Sequence, residues 1–429
     1  MDLFPYQVVG ANFLASVKRG LLADEMGLGK SAQAIAAAKD VGARYVTVIC
    51  PASLCENWRR EFRRFWPDFS GELYVVSYNK AETLNELVGK THATTPFDVL
   101  ILDEAHYLKN HKAKRTKAIF GPKCDGDGGL VSRAAHVFCL TGTPTPNNPS
   151  ELWPMLRAVM PDSIKRDTGK PFAYWPFVEK FCVTQDTGFG IKIVKGKNLP
   201  ELKQRIAPFI LRRKKEDVLK DLPPIRFDTL ALEGKFPREA SAEAVAVAEA
   251  LEKDGVAGLK ALGPHVAQLR RLTGMAKVPA ALEWIDDFLN GSDSKLVVFA
   301  HHKGVIAALG QSLSEGPTSS QGFVTVDGSC TSDERQEAVD QFQNSAAVRV
   351  FIGQIQAAGT GLTLTAASDV LFVESSWTPS DNQQAAMRVH RIGQRNACLV
   401  RFAMLAGSID EDIQRAVMRK TSDIAKLFA

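Results

Sequence analysis

Short, almost wholly apolar runs recur along this chain, each followed by a polar or proline-bearing turn. In the first half they are Tyr45-Val46-Thr47-Val48-Ile49-Cys50 and Asp98-Val99-Leu100-Ile101-Leu102. In the second half they are Lys295-Leu296-Val297-Val298-Phe299-Ala300, Val348-Arg349-Val350-Phe351-Ile352 and Val370-Leu371-Phe372-Val373-Glu374. Runs of this kind, separated by helix-like sequence, read as strands buried on both faces of a parallel sheet. Their recurrence predicts an α/β fold with two doubly wound lobes.

Residues of about 150–220 and 235–290 carry no such run and read as helical insertions, the second rich in Ala, Glu and Leu from Glu239 to Lys253. A length of 429 residues exceeds what one core organises, so lobes over 1–222 and 223–429 are expected. The stretch Phe120 to Arg133 concentrates glycine and other turn formers without periodicity, and a surface loop is expected there.

Composition changes this picture little. With 45% apolar and 24% charged residues the chain can fill two cores, and its net charge of +5 permits a polyanionic partner without requiring one. No apolar run is long enough to span a bilayer and no leader pattern opens the chain, so an intracellular protein without membrane contact is expected. That means cytoplasm in a prokaryote or virus and nucleus in a eukaryote. Cys50, Cys55, Cys124, Cys139, Cys182, Cys330 and Cys398 form no C-x-x-C pair and read as reduced packing thiols. His301-His302 are adjacent on a strand, point to opposite faces and have no partner at ligand spacing, which argues against a metal centre.

Three segments carry candidate chemistry. Ala23-Asp24-Glu25-Met26-Gly27-Leu28-Gly29-Lys30-Ser31 follows an apolar pair and precedes an alanine-rich helical run, the context of a phosphate-binding loop. Lys30 would reach the β- and γ-phosphates of ATP and Ser31 would ligate Mg²⁺, although Asp24 stands where the general pattern begins with glycine. Asp103-Glu104-Ala105-His106 closes a buried strand, with Asp103 placed to hold Mg²⁺ and Glu104 to activate water; a solvated acidic loop is the bland alternative. Arg388 and Arg391 are spaced three apart, as on one helical face, and could stabilise charge on a γ-phosphate; a basic helix paired with surface carboxylates is the alternative.

Taken in order along nearly the whole chain, these segments resemble the Swi/Snf-type branch of superfamily 2 helicases. Pro5-Tyr6-Gln7 is similar to the adenine-recognition element of that family, and Asp24 to Ser31 to its motif I, in the form this branch favours. Cys50 to Leu54 is similar to motif Ia, Asp103 to His106 to motif II, and Leu140 to Pro144, with Asn147-Asn148 after it, to motif III. Leu211 to Val218 resembles the basic lobe-linking element, Lys295 to His302 motif IV, and Asp327-Gly328-Ser329 the element that follows it. Ala357 to Leu364 resembles motif V and Arg388 to Gln394 motif VI. The resemblance implies two RecA-like lobes and ATP hydrolysis between them. It assigns Gln7, Asp24, Gly27, Gly29, Lys30, Ser31 and Gly361 to the nucleotide and Lys30, Asp103, Glu104, Arg388 and Arg391 to catalysis.

The same resemblance points to DNA contacts at Pro51, Ser53, Thr141, Thr143, Gly359 and Thr360, in loops whose small residues let backbone N–H groups approach phosphates. In the helix-like Glu56 to Trp66 segment, Trp58, Phe62 and Phe65 form one stripe and read as core. Arg59, Arg60, Arg63 and Arg64 fit either solvated charge or phosphate contact. The implied activity is an ATP-driven motor on double-stranded or branched DNA, closest to the fork-remodelling, strand-annealing group. It is expected to act as a monomer targeted by a protein partner. A strand-separating helicase and a nucleotide-switched interaction module are the competing readings.

Overall fold

The computed structural model describes residues 3–90, 96–144, 148–186, 188, 190–233, 263–316, 321–358, 362–376 and 379–405. The chain divides into one compact unit ending at Lys220 and a second beginning at Asp221.

The first unit runs α1 (Pro5–Val17), β1 (Arg19–Leu22), α2 (Lys30–Asp40), β2 (Tyr45–Cys50), α3 (Cys55–Phe65), β3 (Glu72–Ser77), α4 (Ala81–Gly89), β4 (Phe97–Asp103), α5 (Lys114–Phe120) and β5 (Ala134–Leu140). It continues through α6 (Trp153–Val159), α7 (Tyr174–Phe181), β6 (Cys182–Asp186), β7 (Ile191–Gly196), α8 (Leu199–Ile206), β8 (Ile210–Leu211) and α9 (Lys215–Val218). Six strands form an all-parallel sheet in the order β3-β2-β4-β5-β1-β8. Alternate side chains of each central strand feed opposite cores. Leu100 and Leu102 of β4 join Val137 and Cys139 of β5 on one face. Val99 and Ile101 join Phe138 and Leu140 on the other. Burial on both faces is why these strands read as continuous apolar runs.

Sheet order decides what meets at the functional edge. β5 lies between β1 and β4, and Leu140 is in register with both Leu22 and Asp103. The loops leaving these three strands therefore emerge side by side at their carboxyl ends, the ligand-binding edge of open parallel sheets.

Two local expectations change. The 150–220 stretch is not purely helical, because β6 and β7 pair as an antiparallel hairpin. Its apolar residues Ile191 and Val194 are exposed, so no alternating buried face announces it. The glycine-rich Phe120 to Arg133 stretch is a packed turn, not a loop lying on the surface. Cys124, Leu130 and Val131 enter the core, and a side chain at Gly121 would collide with the Asp127 carbonyl 2.1 Å away.

The second unit contains β9 (Ile225–Leu232), β10 (Lys295–Ala300), β11 (Gly322–Val326), β12 (Val348–Gln354), β13 (Ala367–Phe372) and β14 (Cys398–Leu405). They too form an all-parallel sheet, in the order β11-β12-β10-β13-β14-β9. Val297 and Phe299 face one core, and Leu296, Val298 and Ala300 the other. The expected 235–290 helical segment is present from Gly263 to Gly291, and its earlier part lies outside the described residues.

Candidate nucleotide site

The loop after β1 turns through Gly27 and Gly29, with φ of 89° and 71°, into α2, whose first residue is Lys30. Only glycine adopts that conformation without strain, and it leaves the backbone N–H groups of a helix start in the open. Lys30 Nζ is held at the loop mouth by the carbonyls of Asp24, at 2.9 Å, and Glu25, at 3.5 Å.

Asp24 is placed differently from the other loop residues. Its carboxylate is fully buried and accepts from Arg213 Nε at 3.0 Å, from a second Arg213 nitrogen, and from Gln33 Nε2 at 3.2 Å. Arg213 also donates to Gln33 Oε1 at 2.7 Å and to the Tyr6 carbonyl. Glu25 accepts the Lys215 backbone N–H at 2.8 Å. The Asp24 side chain thus ties the loop to the segment after β8, and its carboxylate is spent on that buried cluster. A side chain at Gly10 of α1 would strike Gln33 and Arg213, so this glycine leaves room for the cluster.

Gln7 is also tied inward: it accepts the Phe4 N–H at 3.0 Å and donates to the Leu28 carbonyl at 3.2 Å. Its amide lies against Gly29, where an added Cβ would approach to 2.3 Å.

Asp103 ends β4 and is 9% exposed. It accepts the Trp58 indole N–H at 2.7 Å and the Glu104 N–H at 2.9 Å. Burial and the neighbouring Glu104 charge push its pKa up to about 7, opposed by the Trp58 hydrogen bond and Lys30. A divalent cation bound there would favour the ionised carboxylate against both the burial and the Glu104 charge.

Glu104 adopts φ 50°, a left-handed conformation uncommon outside glycine, which swings its side chain away from the strand direction. Thr141 donates to Glu104 Oε2 at 3.4 Å, and His106 Nδ1 lies 3.2 Å from the same oxygen and 2.9 Å from Thr141 Oγ1. Thr143 N–H donates to Thr141 Oγ1 at 3.1 Å. Thr141, expected on a DNA strand, is completely buried. It leaves the strand-contact set and joins the residues that position Glu104. Gly142 packs so closely on the loop after β1 that a Cβ would meet Met26 Cγ at 2.8 Å and Lys30 Nζ at 3.5 Å.

Among the remaining strand-contact candidates, Pro51 is buried while Ser53 and Thr143 are half-buried. Gly359, Thr360 and Gly361 lie outside the described residues. On α3, Arg59 and Arg60 both pair with Glu56, while Arg63 and Arg64 point outward.

In the second unit Arg388 and Arg391 do not share a helical face. The helix ends at Ala386, and both occupy the tight turns that follow. Arg388 is 4% exposed and donates to the Gln384 carbonyl at 3.2 Å. Arg391 donates to the Met387 carbonyl at 3.1 Å. Buried Gln394 fastens this segment to the Thr365, Ala367 and Val389 carbonyls. His302, weighed as a metal ligand, instead pairs with Glu374 at 2.6 Å.

Trp58 and Gln33 carry no functional signature in the sequence, and Thr141 is expected from it on a DNA strand rather than beside Glu104. Trp58 looked like core and is core, at 1% exposure, yet its one polar atom holds the acidic residue. A buried tryptophan needs a partner for its N–H, and that was the available signal.

Residues 6–101 and 70–234 match the SNF2-related domain model, and residues 280–393 match the Helicase conserved C-terminal domain. The DNA annealing helicase and endonuclease ZRANB3 of Bos taurus is 31% identical over 443 residues, covering 95% of this chain and 39% of that protein. The SWI/SNF-related matrix-associated actin-dependent regulator of chromatin subfamily A-like protein 1 of Xenopus tropicalis is 31% identical over 436 residues, covering 98% of this chain and 44% of that protein. The chain thus spans less than half the length of these curated relatives. A Sulfolobus solfataricus SWI2/SNF2 ATPase core in complex with dsDNA aligns with a TM-score of 0.45 and 23% identity, covering 100% of this chain and 95% of that one.

Proposed function

This chain belongs to the SNF2-related family of helicase-like ATPases, and from that premise we propose that it hydrolyses ATP to translocate along double-stranded DNA. The phosphates would lie on the loop after β1, held by backbone N–H groups, the start of α2 and Lys30. Ser31 and Asp103 would hold Mg²⁺, an ion suited to their hard oxygens that supplies charge neutralisation at the γ-phosphate when bound. Glu104 would orient the attacking water and take its proton, with Thr141 and His106 fixing its carboxylate. Arg388 and Arg391 would stabilise charge on the transferred group.

The observation that carries this reading is the shared network of Glu104, His106 and Thr141, beside a Gly142 packed against Lys30. The Thr141–Thr143 loop that binds the Glu104 carboxylate also packs on the loop that carries Met26 and Lys30. Thr143, a strand-contact candidate, donates its N–H to Thr141, so a DNA strand engaging that loop would be felt at Glu104. Hydrolysis that responds to DNA needs such a connection.

The test compares ATP turnover with and without duplex DNA in wild type, Lys30→Ala and Glu104→Gln. Lys30→Ala is expected to lose nucleotide binding, and Glu104→Gln to keep ATP bound while turnover stops. A wild type with no turnover would leave the nucleotide-switched module as the reading. Strand displacement on a plain duplex would identify a strand-separating helicase.

Action on branched DNA is the finer reading, supported by the similarity over 95% of the chain to a relative named as an annealing helicase. A motor that draws duplex through itself drives complementary arms together at a junction. Wild type should therefore accelerate joining of forked arms with ATP, and Glu104→Gln should not.

A further inference from the structure

Cys50 closes β2 and Cys55 opens α3, so only the Pro51–Leu54 turn separates them. Their sulfur atoms stand 3.7 Å apart. Cys50 is completely buried, whereas Cys55 is half-buried. Cys124, Cys139, Cys182 and Cys398 are buried, and Cys330 is half-buried in the other unit.

We propose that Cys50 and Cys55 are a peroxide-oxidisable dithiol whose disulfide restrains the Pro51–Leu54 turn and blocks coupling of duplex binding to hydrolysis. The surroundings favour Cys55 as the attacking sulfur. The Cys50 thiol donates to it and brings its pKa down to about 7, with Arg59 and Lys80 adding positive charge and burial opposing them. The Cys55 thiolate attacks one peroxide oxygen, the O–O bond breaks, and hydroxide leaves and is protonated to water, giving a sulfenic acid. The Cys50 sulfur then attacks the Cys55 sulfur, the S–O bond breaks, and the hydroxyl leaves as water with the Cys50 proton. Two thiols lose two electrons and one peroxide becomes two waters.

Bond formation draws the sulfurs from 3.7 Å to about 2.0 Å. β2 is clamped between β3 and β4, so the displacement falls on the turn and the start of α3. Trp58, in the first turn of α3, carries the N–H that holds Asp103. Closure would therefore displace a candidate strand-contact loop and loosen an acidic residue of the nucleotide site. The effect on turnover rests on the proposed ATPase reading, whereas disulfide formation does not.

The protein is treated with hydrogen peroxide, alkylated, digested with trypsin and mapped, and duplex-stimulated turnover is measured in parallel. Both cysteines fall in one tryptic peptide, Tyr45 to Arg59. The expected product is that peptide lighter by two hydrogens and unalkylated, with stimulated turnover lost and restored by dithiothreitol. Cys330→Ser should behave as wild type, and Cys55→Ser should keep its turnover through the treatment. An overoxidised Cys55 without the linkage, a linkage with unchanged turnover, or equal inhibition of Cys55→Ser would each overturn the proposal. Linkage in a protein that shows no turnover when reduced would support the dithiol and count against the ATPase reading.

Discussion

Replacing Arg213 with alanine tests whether the buried pair with Asp24 holds the loop after β1 in place. Asp24 is 0% exposed and the Arg213 side chain 13%, so the variant leaves a carboxylate stripped of its guanidinium in a site with little water. Removing one partner of a buried pair costs about 3–5 kcal/mol, mainly the desolvation of the charge left behind. The Tyr6 carbonyl and Gln33 Oε1 lose donors as well, which favours the upper part of that range. At about 1.4 kcal/mol per tenfold, the unfolding constant should rise roughly a hundredfold to a few thousandfold. The exposed pair Lys39 and Asp68, at 47% and 72% exposure, supplies the contrast, and Lys39→Ala should cost less than about 1 kcal/mol. Urea unfolding followed by tryptophan fluorescence is the assay, since Trp58, Trp66, Trp153 and Trp175 report on the first unit. Combining Asp24→Leu with Arg213→Met should recover most of the loss, because an apolar pair leaves no stranded charge. A loss below about 1 kcal/mol for Arg213→Ala, or a double variant worse than the single, would refute the reasoning.

Thr141→Val removes the donor to Glu104, the acceptor of the Thr143 N–H and the hydroxyl that His106 Nδ1 contacts. Turnover at saturating ATP should fall by about tenfold to a hundredfold with duplex affinity unchanged, whereas weaker duplex binding with intact turnover would restore Thr141 to the strand-contact set. In the second unit, burial, with the Arg270 and His302 charges, lowers the His301 pKa to about 4, so the folded state disfavours its protonated form. The associated stability is present above the ordinary histidine pKa of about 6.5 and is lost as pH falls toward 4; stability curves should show this, and His301→Leu should flatten the decline above about pH 4.5, before carboxylates titrate. Duplex binding measured by fluorescence anisotropy should weaken steeply with rising salt and vary little with sequence, since phosphate contacts release counterions and carry no base information. A flat salt response would argue against a phosphate-tracking surface.

Much of the site was written locally. β2 and β4 were legible because both their faces are buried, which leaves an unbroken apolar run in the sequence. The glycine turn from β1 into α2 and the acidic pair that closes β4 were legible because each lies within a dozen or so residues of its strand. The two glycines, the lysine and the acidic pair therefore carry their geometry in their spacing. Arg388 and Arg391 show the limit of spacing: three residues apart suggested one helical face, yet the helix stops at Ala386 and hydrogen bonds to nearby carbonyls set the turns instead. The hairpin of β6 and β7 was hidden because its exposed apolar residues have no core to alternate against. The roles of Asp24 and Thr141 belong to tertiary structure alone. Arg213 reaches Asp24 across 189 positions, and Thr141 reaches Glu104 across 37, because β8 lies beside β1 and β5 lies between β1 and β4. Which strands become neighbours is set by how whole helices and strands pack over two sheet faces, a sum of many weak contacts that no short window of sequence contains.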